Sequence, residues 1–378
     1  MTITAFNLGQ RLRAAHEQRP IPVSASAPAL PLAEPVALTL TGQDGTLTLT
    51  AATATASSTE SGTRVLHALK AIGLDLARSH RTLIVADRAT IHALDGLARA
   101  HAKDAALADV AAVAGWWATR AEHPGSGAVL ILTEALPRRW TLGVHPDQER
   151  DLHTWAQWLG LASTGTSLMH DLAAAVTAPP TRQGLLTFDT QDSRSWQWLQ
   201  GHPDFWWRED GRGQAALGLA TRCDAADLFR SLAMDDPLVA AQAAYSGDIV
   251  TGTVSSTQPL AVRADRPLAR LRAGTLVDTW IGEPWQVATS TLSGRIDAAT
   301  IDTNGTLFLT IGQVRRPPPI GTRLTIRPRR VSAHMQTYSR RERRVRQSHA
   351  GNWLATRECP APARRDVPLD IAIAAADD

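Results

Sequence analysis

The chain holds only two cysteines, Cys223 and Cys359, and only two lysines, Lys70 and Lys103, in 378 residues. The cysteines lie far apart, with no CxxC and no histidine at ligand spacing, which excludes a zinc finger and a disulfide framework. They read as two unrelated thiols in a reducing compartment. No run of about eighteen apolar residues occurs, which argues against a transmembrane helix. The opening segment, MTITAFNLGQRLRAAHEQRP, lacks the continuous apolar core that a signal peptide needs. Export is therefore not expected, and the sequence reads as cytoplasmic.

The common catalytic signatures are missing as well. There is no GxxxxGKS/T phosphate loop, no GxGxxG dinucleotide fingerprint, no GxSxG nucleophile elbow and no HExxH zinc helix. Gly125-Ser-Gly127 precedes an apolar strand instead of following one. Ser167, His170 and Asp171 crowd the start of one helix, where proximity in sequence does not make a triad; they read as surface polar residues.

What is present is an ordinary globular composition, 44% hydrophobic and 20% charged. The length exceeds that at which one core stops growing, so two or three domains are expected. The pattern points to an α/β domain followed by a small all-β barrel, with a Pro-rich N-terminal linker and an Arg-rich C-terminal tail. The divisions fall at 1–60 (N-terminal arm, linker and β-hairpin), 61–200 (α/β domain), 201–246 (Trp-rich helical segment), 247–331 (β-barrel) and 332–378 (Arg-rich, partly disordered tail).

Local signals carry this division. Residues 20–35, PIPVSASAPALPLAEP, have the prolines of an extended linker. Leu38 and Leu40 alternate with threonines, as do Leu47 and Leu49, across Gly42-Gln-Asp-Gly45, a hairpin pattern; the Ala/Thr/Ser run at 51–61 reads as a loop or a second linker. Val65, Leu69, Ile72 and Leu76 fall at helical spacing. Apolar strands are expected at 82–86, 128–133 and 185–188, with a short one at 140–144 beside the second, all alternating with helices. After Gly247, six alternating segments (249–254, 260–263, 275–280, 291–297, 306–311 and 322–326) predict the barrel, with Asp302-Thr-Asn-Gly305 as one hairpin turn.

Charge is distributed unevenly. Arginine almost wholly replaces lysine, which reads as the codon bias of a G+C-rich genome, yet arginine stays charged at any pH and grips phosphate as a fork. Eleven arginines and one acid, Glu342, fall within 315–346, a formal +10 against a chain total of +3, so the remainder carries −7. Arg323, Arg327, Arg329, Arg330, Arg340, Arg341, Arg343, Arg344 and Arg346 are therefore candidate phosphate contacts. Trp206 and Trp207, beside Pro203 and Arg208, and Trp280 and Trp285, flanking Gly282-Glu-Pro284, are candidate stacking or partner-binding surfaces, with core packing as the alternative.

The sequence thus reads as a non-enzymatic nucleic-acid-binding (DNA or RNA) or complex-assembly protein that works with protein partners and needs no cofactor, membrane or metal. One alternative is a structural subunit whose arginines meet an acidic protein surface. The other is a metal-dependent phosphodiesterase. Asp87, Glu134 and Asp189 follow the three expected strands, where α/β sheets place ligands, and converging carboxylates there would hold Mg²⁺. Asp87 is equally placed to cap the helix that follows it.

Overall fold

The computed structural model describes residues 5–43, 45–204, 206–208, 212–286 and 291–329. Helix α1 (Ala5–Glu17) leads into a two-residue strand, β1 (Ile21–Pro22), and the proline-rich stretch. That stretch is not the free spacer its prolines suggest, because Ile21, Val23, Ala27 and Leu30 are buried. Alternating Leu and Thr form the expected hairpin, β2 (Val36–Gln43) with β3 (Thr46–Ala52), paired from Ala37↔Ala52 to Gln43↔Thr46. Gly45 closes it at φ +76°, a conformation that glycine adopts without steric cost. The Ala/Thr/Ser run read as a loop instead extends the sheet as β4 (Ser57–Ser61). Its hydroxyls bond across to β3, Thr48 with Ser61 and Thr50 with Thr59, so this edge needs no apolar residues.

Short helix α2 (His67–Ala71) precedes β5 (Leu83–Val85); α3 (Arg88–His101) and α4 (Ala108–Ala121) then lead to β6 (Val129–Ile131) and α5 (Leu132–Arg139). β5 runs parallel to β2 and β6 parallel to β5, giving a five-stranded mixed sheet in the order β4-β3-β2-β5-β6. Successive side chains alternate across it. Val36, Leu38, Leu83 and Val85 enter one core with α2, α3 and α4, while Ala37, Ile84 and Leu130 enter another with α5. The sheet is thus the middle of three layers. The strand expected at 140–144 shortens to β7 (Trp140–Thr141) and pairs with β1 rather than β6. Helices α6 (Leu152–Leu159) and α7 (Gly165–Thr177) complete the second core through Trp155, Leu168 and Leu172.

The strand expected at 185–188 is replaced by a 3-10 turn, Gln183–Leu185, running straight into α8 (Leu186–Gly201). A short apolar run does not distinguish strand from helix. Here Phe188, Asp192, Trp196 and Leu199 recur at helical spacing, and all are buried. Helices α9 (Arg212–Ala233) and α10 (Pro237–Tyr245) follow. By contacts the chain divides into Met1–Arg208 with Arg222–Ala333, and Glu209–Thr221 with His334–Asp378. The described part of the second unit is 212–221, the opening of α9.

The six segments expected to form a barrel all become strands: β8 (Val250–Thr257), β9 (Leu260–Ala264), β10 (Leu276–Ile281), β11 (Leu292–Ile301), β12 (Leu307–Gly312) and β13 (Arg323–Pro328). They pair antiparallel and close in the order β10-β11-β12-β9-β8-β13. Val254, Val262, Val277, Ile296, Leu309 and Ile326 fill the interior. In the β11–β12 turn, Asp302 accepts from the backbone N–H groups of Asn304 and Thr306 while Gly305 takes φ +78°. Among the described residues, no helix is long and apolar enough to cross a membrane.

Candidate functional site

The three candidate carboxylates occupy three different settings. Asp87 caps α3: its Oδ1 accepts from the Thr90 backbone N–H and hydroxyl, both at 2.9 Å. Glu134, in the first turn of α5, faces Arg88 at the start of α3, with Nε donating to Oε1 at 2.7 Å and Nη2 to Oε2 at 3.0 Å. The third Arg88 nitrogen, Nη1, donates to Glu122 at 2.8 Å, and the Glu134 bond is the main cause holding the Arg88 pKa above its ordinary value. Asp189 is exposed in the first turn of α8. Among the described residues no group of three or more His, Cys, Asp or Glu side chains could hold a metal ion.

The candidate arginines of β13 each meet an acid of the same chain. Arg323 binds both Glu283 and Asp265, Arg327 donates to Asp235 at 2.8 Å, and Arg329 to Asp278 at 3.3 Å. Glu283 raises the Arg323 pKa. Burial works to raise Asp265, but hydrogen bonds from Thr251 and Arg323 hold it below the usual carboxylate value. Part of the barrel's positive charge is therefore neutralised at the barrel itself. Arg315 and Arg316, in the turn after β12, are exposed and have no acid partner among the described residues. Arg330, Arg340, Arg341, Arg343, Arg344 and Arg346 lie outside the described residues.

The four candidate tryptophans separate clearly. Trp280 is buried, its Nε1 donating to the Glu283 carbonyl and its ring lying 5.4 Å from the Arg327 guanidinium. Trp206 packs against the first core beside Gly115, where a Cβ would collide with the indole. Trp207 is half-buried, with Lys103 Nζ 5.2 Å above its ring. Trp285 alone of the four is mostly exposed, at 55%.

Several polar groups, all but Glu134 passed over in the sequence reading, gather beside β6, an edge strand whose outer side faces a cavity of about 380 Å³. Arg88, Arg120, His123, Glu134 and Arg138 line it. Arg120 is buried and held by Asp192, with Nε 2.7 Å from Oδ1. Burial, assisted by Arg120 and Arg222, pushes the His123 pKa down to about 3, so this imidazole is neutral. Arg88 and Glu134 directly follow the carboxyl ends of the parallel strands β5 and β6, a position where open α/β sheets bind ligands, whereas Arg120 and His123 precede β6. The one sequence cue was the spacing of Glu134 and Arg138, four apart on a helix.

No family model matches this sequence, and no curated protein or solved structure matches it.

Proposed function

We propose that the protein binds a polyanion, a nucleic acid, and does so as a non-enzymatic binding or assembly factor. The observation that carries this reading is the charge of 330–346, where six arginines accompany a single acid, Glu342. Exposed Arg315 and Arg316 extend the same positive excess onto the barrel. The barrel's own pairs narrow the set of contacts. Arg323, Arg327 and Arg329 face Glu283, Asp265, Asp235 and Asp278, so a phosphate has to compete with these acids for them. The contacts that remain are Arg330, Arg340, Arg341, Arg343, Arg344 and Arg346, together with Arg315 and Arg316.

The test is a binding titration of the full chain against single- and double-stranded DNA and RNA across a salt series. A variant carrying Arg340, Arg341, Arg343, Arg344 and Arg346 all replaced by glutamine is run beside it. Each phosphate contact on duplex DNA contributes about 0.9 to the slope of log K against log salt, so the variant should lose about 4.5 units of slope if all five arginines engage phosphates. An unchanged slope, or no binding near physiological salt, would overturn the reading. Binding of an acidic protein with no affinity for nucleic acid would favour the structural-subunit alternative instead.

A further inference from the structure

The cavity beside β6 is one of two that meet around α5. The second, about 280 Å³, is walled by Val23, Ala27, Pro137, Ala233 and Val239. Pro28, Arg138, Leu185 and Phe229 line both, so the two are lobes of one cleft with these four side chains at its waist. Their sizes are at or near those of small-molecule sites. The lobes differ in chemistry, the first being edged by charged groups and the second mainly by hydrocarbon.

The neighbouring arginines are already engaged. Arg88 holds both oxygens of Glu134 and one of Glu122. Arg120 holds Asp192, and Arg182 holds Asp236, Ser26 and the carbonyls of Leu232 and Ala233. Arg138 differs from all three. It approaches Glu134 only to 3.8 Å, beyond hydrogen-bond reach, at an oxygen that Arg88 already occupies. Its guanidinium otherwise lies 5.6 Å from the Phe229 ring, and it makes no hydrogen bond among the described residues. A planar fork of donors, half exposed, is thus left open at the junction of a polar and an apolar lobe.

We infer that the cleft binds a small organic carboxylate with an apolar body. The carboxylate sits on the Arg138 fork, where two parallel N–H···O bonds match its geometry, and the hydrocarbon enters the lobe walled by Val23, Ala27, Pro137 and Val239. Glu134 and Glu122, both lining the first lobe, favour a monoanion over a phosphate dianion, which they would repel more strongly. This site is independent of polyanion binding and uses none of the same residues.

Isothermal titration of the full chain with sodium octanoate tests it, with 1-octanol and inorganic phosphate as comparison probes. Octanoate should bind at one site with a Kd of about 1 mM or tighter, given its few non-hydrogen atoms. Octanol and phosphate should bind at least about tenfold more weakly. Arg138→Gln should weaken octanoate by about tenfold or more with no change in thermal midpoint, since the side chain holds no structural bond. Val239→Trp, which fills the apolar lobe, should abolish binding. Should Arg138→Gln fail to fold, Arg138→Lys makes the same comparison, keeping the charge but losing the fork and several-fold of the affinity. No binding of octanoate up to about 10 mM, equal affinity for octanol, or undiminished binding by the Arg138 variants would overturn the inference.

Discussion

In the α/β layers Arg120 meets Asp192 with side chains 5% and 1% exposed, and Arg182 meets Asp236 at 17% and 0%; on the barrel, Arg323 meets Glu283 at 43% and 26%. The same pair of charges therefore does different work at the two depths. Asp236 is a junction. One oxygen accepts from Ser24 Oγ, from the Ala25 and Ser26 backbone N–H groups and from Ser26 Oγ, while the other caps α10 through Leu238 and Val239. Asp192 likewise takes Arg120, Ser126 Oγ at 2.8 Å and the Gly127 N–H at 2.8 Å, fixing the chain as it enters β6. Such buried junctions specify where the chain runs, because breaking one strands a charge away from water. The barrel is held by its closed ladder and apolar interior, and its surface pairs chiefly dispose of charge.

Replacing Asp236 by alanine is expected to have the largest effect, about 3–5 kcal/mol of unfolding free energy, because Arg182 and the Ser24–Ser26 donors lose their acceptor together. Asp192→Ala should fall in the same range, and urea denaturation measures both. The comparison sharpens with pH. Burial works to raise the Asp236 pKa, but the hydrogen bonds from Ala25, Ser26 and Ser24 overcome it and hold the group far below its ordinary 3.8. Its contribution is present above about pH 4 and drains away as pH falls toward the folded-state value, so Asp236→Asn should flatten acid denaturation in that window. His123 acts in the same sense at higher pH. It is neutral in the fold, so stability should climb with pH between about 3 and the ordinary 6.5, and His123→Gln should remove that climb. The smallest effect is expected at the barrel, where Arg323→Gln should cost less than about 1 kcal/mol, and that cost should shrink further in high salt. An Arg323→Gln loss as large as that of Asp236→Ala would break the comparison.

The barrel was legible in the sequence because strict alternation, Gly/Pro breaks and an Asn-Gly turn all point to one answer. The three-layer region was legible only in part. Leu38 and Leu40 read as one arm of a hairpin and 82–86 as a buried strand, yet Ser57–Ser61 offered no apolar residue to mark a strand, and Leu185–Phe188 was too short to reveal its period. The proline stretch at 20–35 looked like a spacer because its partners, Arg139 and Asp236, lie more than a hundred residues away, beyond the reach of any local pattern. Among the candidate residues, Asp87 and its cap were readable from position alone. That Glu134 is taken by Arg88 was not, since two helix starts meet only once the parallel strands are paired. The pairing of Arg323 with Asp265 and Glu283 was hidden in the same way by strand order.

The Asp236 junction also has a consequence during synthesis. Ser26 and Asp236 are 210 residues apart, so at about 5–20 residues per second the ribosome takes about 10–40 s to deliver the acceptor after its donors have emerged. Within that interval β1 can already pair with β7 and Leu30 can reach Leu185 and Phe188, yet the donors of Ser24 to Ser26 have no carboxylate to hold them. The sheet and its two cores are thus complete in sequence before α10 is made, and the Asp236 junction is the last fastening of the N-terminal segment.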